Sequence, residues 1–382
     1  MNPLLSGLRV LDLTRLLPGP FCTLYLAQMG ATVIKIEAPG GGDYARALSP
    51  ELFALINRGK QSLALDLRKP AGAGVLRRLA HDADVLIESF RPGVMDKLGC
   101  GYAALRGENP RLVYAALTGY GQTGPWKDRA GHDLNYCGYA GVLDQTGTAA
   151  GPPAQCGFQI ADLAGGALTC AIGILAAVIG ARASGHGCLV DAAMLDGTLA
   201  LQAVTLAHST AFGVDPQRGH DLLTGGLPSY AVYRCADGKY LALGALEPKF
   251  WANFCRAAGR PELARKTPQP GPAGEPLRAE LAALVAGKTR DQWETLLADA
   301  DACASAVLTP VEALHGDQIH ARGLVQEIAG KPAFGLPLRF EHAATAATAP
   351  AAKLGADTDA VLAAAGYSAE QRRRLRDEGV IT

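Results

Sequence analysis

The strongest constraint on this chain lies in its first forty residues, where a strand, a helix and a second strand follow one another. Arg9-Val10-Leu11-Asp12-Leu13 is a short apolar run of buried-strand character. Pro18-Gly19-Pro20 interrupts it, residues 21–29 read as a helix closed by Gly30, and Thr32-Val33-Ile34-Lys35-Ile36-Glu37 reads as a second strand. Such a unit joins two parallel strands by a helix packed on their sheet. The alternation continues through strands at 62–67, 84–88 and 112–117 and a helix at 71–80. The first 120 residues are therefore expected to be a doubly wound, mainly parallel α/β region. A second strand ending in Glu37 would suit a dinucleotide, because an acid there can hold a ribose. The first turn, Thr14-Arg15-Leu16-Leu17-Pro18-Gly19-Pro20, lacks G-x-G-x-x-G, which argues against a nicotinamide or flavin cofactor.

Farther along, residues 163–181 carry no charge and are bounded by Asp162 and Arg182. The length raises the question of a membrane span. A composition of Gly and Ala rather than Leu, Ile and Phe favours a helix buried inside a domain. Residues 191–208 read as another long helix and 212–226 as a polar connection. Strands at 230–235 and 239–243 around Ala236-Asp237-Gly238 form a hairpin signal. Helices follow to about residue 300. Residues 336–350, rich in Ala and Thr, read as a linker, and two short helices (358–365, 369–378) close the chain. The expected division is 1–185 as a large α/β domain, 186–225 as a helical linker and 226–315 as a smaller α+β domain. Residues 316–382 return to complete the large domain.

Charge narrows the partners. Lys plus Arg equals Asp plus Glu at 36 each, so no pervasive basic field points to nucleic acid. The nine cysteines are scattered, with no C-x-x-C pair and no histidine at zinc-ligand spacing. They read as buried free thiols in a reducing cytosol, with no metal. The N-terminal segment shows no signal region, so a cytoplasmic protein without a membrane partner is expected.

Three places carry candidate chemistry. His132 lies in Gly131-His132-Asp133-Leu134-Asn135-Tyr136, a loop-to-helix junction that can present an imidazole beside free backbone N–H groups. The plain alternative is an Asp/Asn cap with an incidental histidine. Asp162 heads the uncharged helix, where an N-cap is the plain reading. The helix dipole favours its charged form and apolar burial disfavours it. Glu247 follows the hairpin and reads locally as surface solvation. Arg58, Lys60, Arg68, Arg91 and Lys97 fall near strand ends, where several could share one phosphate-bearing ligand.

The separate motifs then agree on a family. Residues 8–13, Glu88-Ser89-Phe90-Arg91-Pro92-Gly93-Val94-Met95-Asp96-Lys97-Leu98-Gly99 and 118–125 resemble the family III CoA-transferase superfamily. Within it, Ala130-Gly131-His132-Asp133-Leu134-Asn135-Tyr136, Ala161-Asp162-Leu163-Ala164-Gly165-Gly166, Ala236-Asp237-Gly238 and 244–250 resemble the α-methylacyl-CoA racemase branch. The resemblance implies an interlocked homodimer acting on an acyl-CoA substrate, with coenzyme A as carrier and no separate cofactor. It implies His132 and Asp162 as two bases, Glu247 of the other chain orienting His132, and the Asp133 N–H meeting the thioester oxygen. Coenzyme A would lie against Leu65, Asp66, Leu67, Arg68, Arg91, Lys97 and residues 131–136.

A base on each face of a planar enolate is what inversion at the α-carbon demands. The Gly165-Gly166 pair is expected to let backbone approach the acyl chain. Position 38 is Ala where racemases carry Arg, so one coenzyme contact is expected to be lost or replaced. Lys97 keeps a charge but not the planar fork of arginine. Residues 35–39, 42–43 and 355–358 resemble the transferase branch equally. CoA transfer between carboxylic acids, with Asp162 as nucleophile, is therefore the alternative activity. A non-catalytic acyl-CoA-binding relative is a third reading.

Overall fold

The computed structural model describes residues 3–346 and 349–382, so two positions of the expected linker lie outside the described residues. Six strands form one parallel sheet: β1 (Arg9–Leu13), β2 (Thr32–Glu37), β3 (Gln61–Ala64), β4 (Val85–Glu88), β5 (Val113–Thr118) and β6 (Leu189–Ala193). Their order is β3-β2-β1-β4-β5-β6. The chain winds one way from β1 and then the other, which opens a crevice at the carboxyl ends of β1 and β4. Val10, Leu11, Val85, Leu86 and Ile87 are fully buried, because helices cover both faces of a parallel sheet.

The sixth strand corrects the expectation of one long helix over 191–208. Leu189-Val190-Asp191-Ala192-Ala193 pairs with Tyr114 to Thr118, and two helices follow, Met194–Ala200 and Ala203–Phe212. An Ala-rich run with a central aspartate has weak strand character of its own. Pairing with β5 imposes it, and the Asp191 carboxylate accepts the Gln122 N–H at 3.1 and 3.0 Å.

Four helices frame the site: α1 (Pro18–Gln28), α2 (Asp133–Tyr139), α3 (Ala161–Ser184) and α4 (Met194–Ala200). Helix α3 begins in wide π-type turns, Ala161–Leu168, and continues as an α-helix, Thr169–Ser184. By length and composition it could cross a membrane; it lies along the sheet, with one face on β5 and β6. It is not buried all round, since Ile172 and Ile179 on the outer face are 69% and 70% exposed.

The chain divides into two compact units, drawn differently from the four expected segments. The first holds the described residues up to 140 together with 158–201 and 320–382; the second holds 141–157 and 202–319. Residues 186–201 thus stay with the sheet, while 202–225 do not. The C-terminal helix Thr358–Ala364 packs beside β3, Asp357 accepts the Ser62 N–H at 2.8 Å, and Ile381 bridges Leu65. The return segment also carries a hairpin that its sequence did not signal, Val325–Ile328 with Lys331–Phe334.

The second unit is built on the expected hairpin, β7 (Tyr230–Arg234) and β8 (Tyr240–Gly244), joined by β9 (Ala304–Ala306) in an antiparallel sheet. Gly238 takes a left-handed φ of +79° in the turn. Phe254 and Trp293 are fully buried beneath this sheet.

Candidate active site

His132 is the residue immediately before α2, in extended backbone (φ −129°, ψ 176°), and its N–H donates to Asn135 Oδ1 at 3.0 Å. Its imidazole is exposed and lines a cavity of about 660 Å³. Asp162 lines the same cavity from the first turn of α3. The structure thus brings together two groups thirty residues apart in sequence.

Asp162 is not the cap of its helix. The cap comes from Asp133, whose Oδ1 accepts the N–H groups of Ala161 at 2.8 Å and Asp162 at 3.0 Å. One carboxylate therefore opens α2 and ties α3 to it, leaving the Asp162 side chain directed to the cavity. Burial first, and then the nearby negative Asp133, raise the Asp162 carboxyl to about 7. Desolvation wins over the helix dipole here.

Close packing fixes both helices. Tyr136 donates to Gly131 O at 2.6 Å and meets Tyr120 edge-on at 5.2 Å. A Cβ at Gly131 would come within 2.7 Å of the Tyr136 ring, so only glycine fits before His132. Gly165 and Gly166 stand at a helix crossing. Their Cβ positions meet Thr198 Oγ1 at 2.3 Å and Met194 Cγ at 2.7 Å, and a Cβ on Gly197 would meet Gly165 O at 1.9 Å. These glycines allow α3 to cross α4 at backbone contact, which gives them a packing role.

A second cavity of about 340 Å³ adjoins the first: both are lined by Arg15, Phe90 and Val94. Leu65, Asp66, Leu67 and Arg68 line the smaller one, and Gly131, His132, Asn135, Tyr136 and Arg91 the larger. Asp133, Leu134 and Lys97 line neither; Lys97 is exposed on a short helix, Val94–Lys97. The shared anion site expected of five basic residues is dispersed. Arg58 is buried and donates to the carbonyls of Leu55 and Phe334. Lys60 is buried against Asp12, Asn57 and Pro20 O. Arg68 is paired with Asp66 at 2.9 Å. Cations that sequence reasoning did not single out, Arg15, Lys127 and Arg129, line the larger cavity instead. Below the wall they share, Glu88 accepts the Phe90 N–H at 2.6 Å, and burial raises its carboxyl to about 7.

Glu247 belongs to the second unit, exposed just before the helix Pro248–Ala257, and its carbonyl accepts the Trp251 N–H at 3.1 Å. All nine cysteines are free; Cys188 and Cys303 are exposed, against the expectation that the thiols are buried. Among the described residues, no three His, Cys, Asp or Glu side chains gather as metal ligands.

The protein is thus a parallel α/β protein with two adjoining cavities at its strand ends, the larger lined by Arg15, Arg91, Lys127 and Arg129 together with a histidine and a raised carboxyl. The family model for CoA-transferase family III matches residues 5–358. The chain is 36% identical to α-methylacyl-CoA racemase of Homo sapiens over 99% of this chain and 97% of that protein. It is also 36% identical to succinyl-CoA:mesaconate CoA-transferase of Haloarcula marismortui, over 85% of each chain. A CAIB/BAIF family protein from Brucella suis superposes with a TM-score of 0.84 at 32% identity, covering 96% of this chain and all of that one. The chain belongs to CoA-transferase family III, and it is an enzyme of that superfamily.

Proposed function

We propose that the enzyme interconverts the (R) and (S) forms of 2-methylacyl-CoA thioesters through an enolate. The observation that carries this reading is the placement of His132 and Asp162 on one cavity, with the Asp162 carboxyl at about 7. A group that must accept a proton in one direction and return it in the other works best with a pKa near the operating pH. His132 takes the proton on one face and Asp162 reprotonates the other. The N–H of Asp133, at the first position of α2, has no intrahelical acceptor and would stabilise the enolate oxygen. In a homodimer, Glu247 of the second chain would hold the His132 imidazole in one tautomer. Coenzyme A is the carrier of the substrate, and no separate cofactor enters the reaction.

Exposed apolar side chains support the dimer: Ile172 and Ile179 on α3, and Leu206 and Phe212, each 69–70% exposed on Ala203–Phe212. The second reading, CoA transfer with Asp162 as nucleophile, rests on the likeness to succinyl-CoA:mesaconate CoA-transferase. Transfer through an Asp162 anhydride has no need of a second proton carrier, so His132 on the same cavity favours the base. The test is a single enantiomer of a 2-methylacyl-CoA with no acceptor acid present. Loss of optical purity is expected. A stable enantiomer that loses its CoA only when an acid is added would establish transfer instead.

A further inference from the structure

The turn after β1 carries Arg15 to the seam between the two cavities, and that turn is held from beneath. Leu16 adopts a left-handed φ of +63°, which a leucine takes only when its surroundings require it. Its N–H donates to Asp43 Oδ1 at 3.0 Å, and the Arg15 N–H donates to Ser89 Oγ at 3.3 Å. Lys35, fully buried, donates to Thr14 O at 2.9 Å and pairs with the buried Asp43 at 3.0 Å. Arg15 is therefore presented by a fixed backbone.

Its side chain has partners as well. The guanidinium lies 4.6 Å from the Phe90 ring centroid and 5.2 Å from that of Tyr44, and it donates to Tyr44 Oη at 3.1 Å. Among the described residues no carboxylate stands within ion-pair distance of Arg15. The other charges on the smaller cavity are neutralised: Arg68 by Asp66, Glu37 by Arg46 and Asp43 by Lys35. Ala38, on the same wall, contributes no charge.

A positioned cation with unused donors at the junction of two cavities fits an anion lying midway along an extended ligand. We infer that Arg15 grips the diphosphate of the coenzyme, with the nucleotide in the smaller cavity and the pantetheine thioester in the larger. The inference rests on the acyl-CoA reading and assigns one specificity-determining residue within it. Arg15 selects the nucleotide-bearing thioester over a shorter one.

Calorimetric titration of the wild type and of Arg15→Ala and Arg15→Lys with CoA, dephospho-CoA and pantetheine tests it. The alanine variant should bind CoA and dephospho-CoA roughly ten- to a hundredfold more weakly, as expected for loss of a charged hydrogen-bonding group. The lysine variant should lose less, and pantetheine binding should be unchanged by either. Equal loss for pantetheine would mean that Arg15 only shapes the cleft. A loss seen with CoA and absent with dephospho-CoA would move Arg15 to the 3′-phosphate. Unaltered CoA binding by Arg15→Ala overturns the assignment, whereas a wild type that binds no CoA overturns the coenzyme reading itself.

Discussion

Asp162 carries a cost that its neighbours make legible. Its carboxyl moves from 3.8 to about 7 because it is buried and because Asp133 is held next to it by two backbone N–H groups. A carboxyl raised in the folded state binds more protons there than in the unfolded chain. Its neutral form contributes full stability below about pH 4, and that stability is lost as pH rises toward 7. Asp162→Asn, which cannot ionise, should therefore stabilise the protein at pH 8 by on the order of 1–3 kcal/mol while removing epimerisation. At pH 4 the gain should vanish. Thermal unfolding at both pH values measures this, and an equal effect at each would show that ionisation of Asp162 is not the cause. The sequence alone could not separate cap from acid here. The true cap, Asp133, stands 29 positions away, and only the fold brings its carboxylate to the head of α3.

Between elements, the glycines of α3 and α4 decide whether the site can form. Gly165 lies so close to Thr198 and to Gly197 that neither helix tolerates a methyl group at the crossing. Gly165→Ala forces α4 away from the widened first turn of α3, where Asp162 sits. The expected cost is about 1–3 kcal/mol, typical of overpacking, read by urea unfolding, with a fall in activity at unchanged coenzyme affinity. Full activity in a stable Gly165→Ala protein would contradict the close crossing. Five of the six parallel strands were legible because apolar runs such as Val33-Ile34 and Leu86-Ile87 are bounded by turn residues. The strand Leu189–Ala193 was not, since its residues suit a helix and its extended form comes from β5. The anion site was misread for a related reason. Arg58 and Lys60 look available in sequence, yet they fold inward to satisfy buried carbonyls and Asp12.

At the scale of the molecule, α3 poses the remaining demand. A strongly apolar helix that covers only one of its faces leaves apolar area in contact with water. A second copy of the chain would relieve it, and on the proposed reading that copy supplies Glu247 to His132. Light scattering on the purified protein should give twice the chain mass of 39.6 kDa. Replacing Ile172 and Ile179 together by Asp should shift the protein toward monomer and remove activity with it. A fully active monomer would exclude a Glu247 supplied by the partner.

On the proposed mechanism, His132 and Asp162 exchange the α-proton of an acyl thioester from opposite faces. It is tested most directly by running the acceptor-free reaction of one 2-methylacyl-CoA enantiomer in deuterium oxide. Deuterium at the α-carbon should appear together with the opposite enantiomer, and epimerisation should be lost in His132→Ala and in Asp162→Asn. An α-carbon that stays protonated and stereochemically intact in the wild type would contradict it.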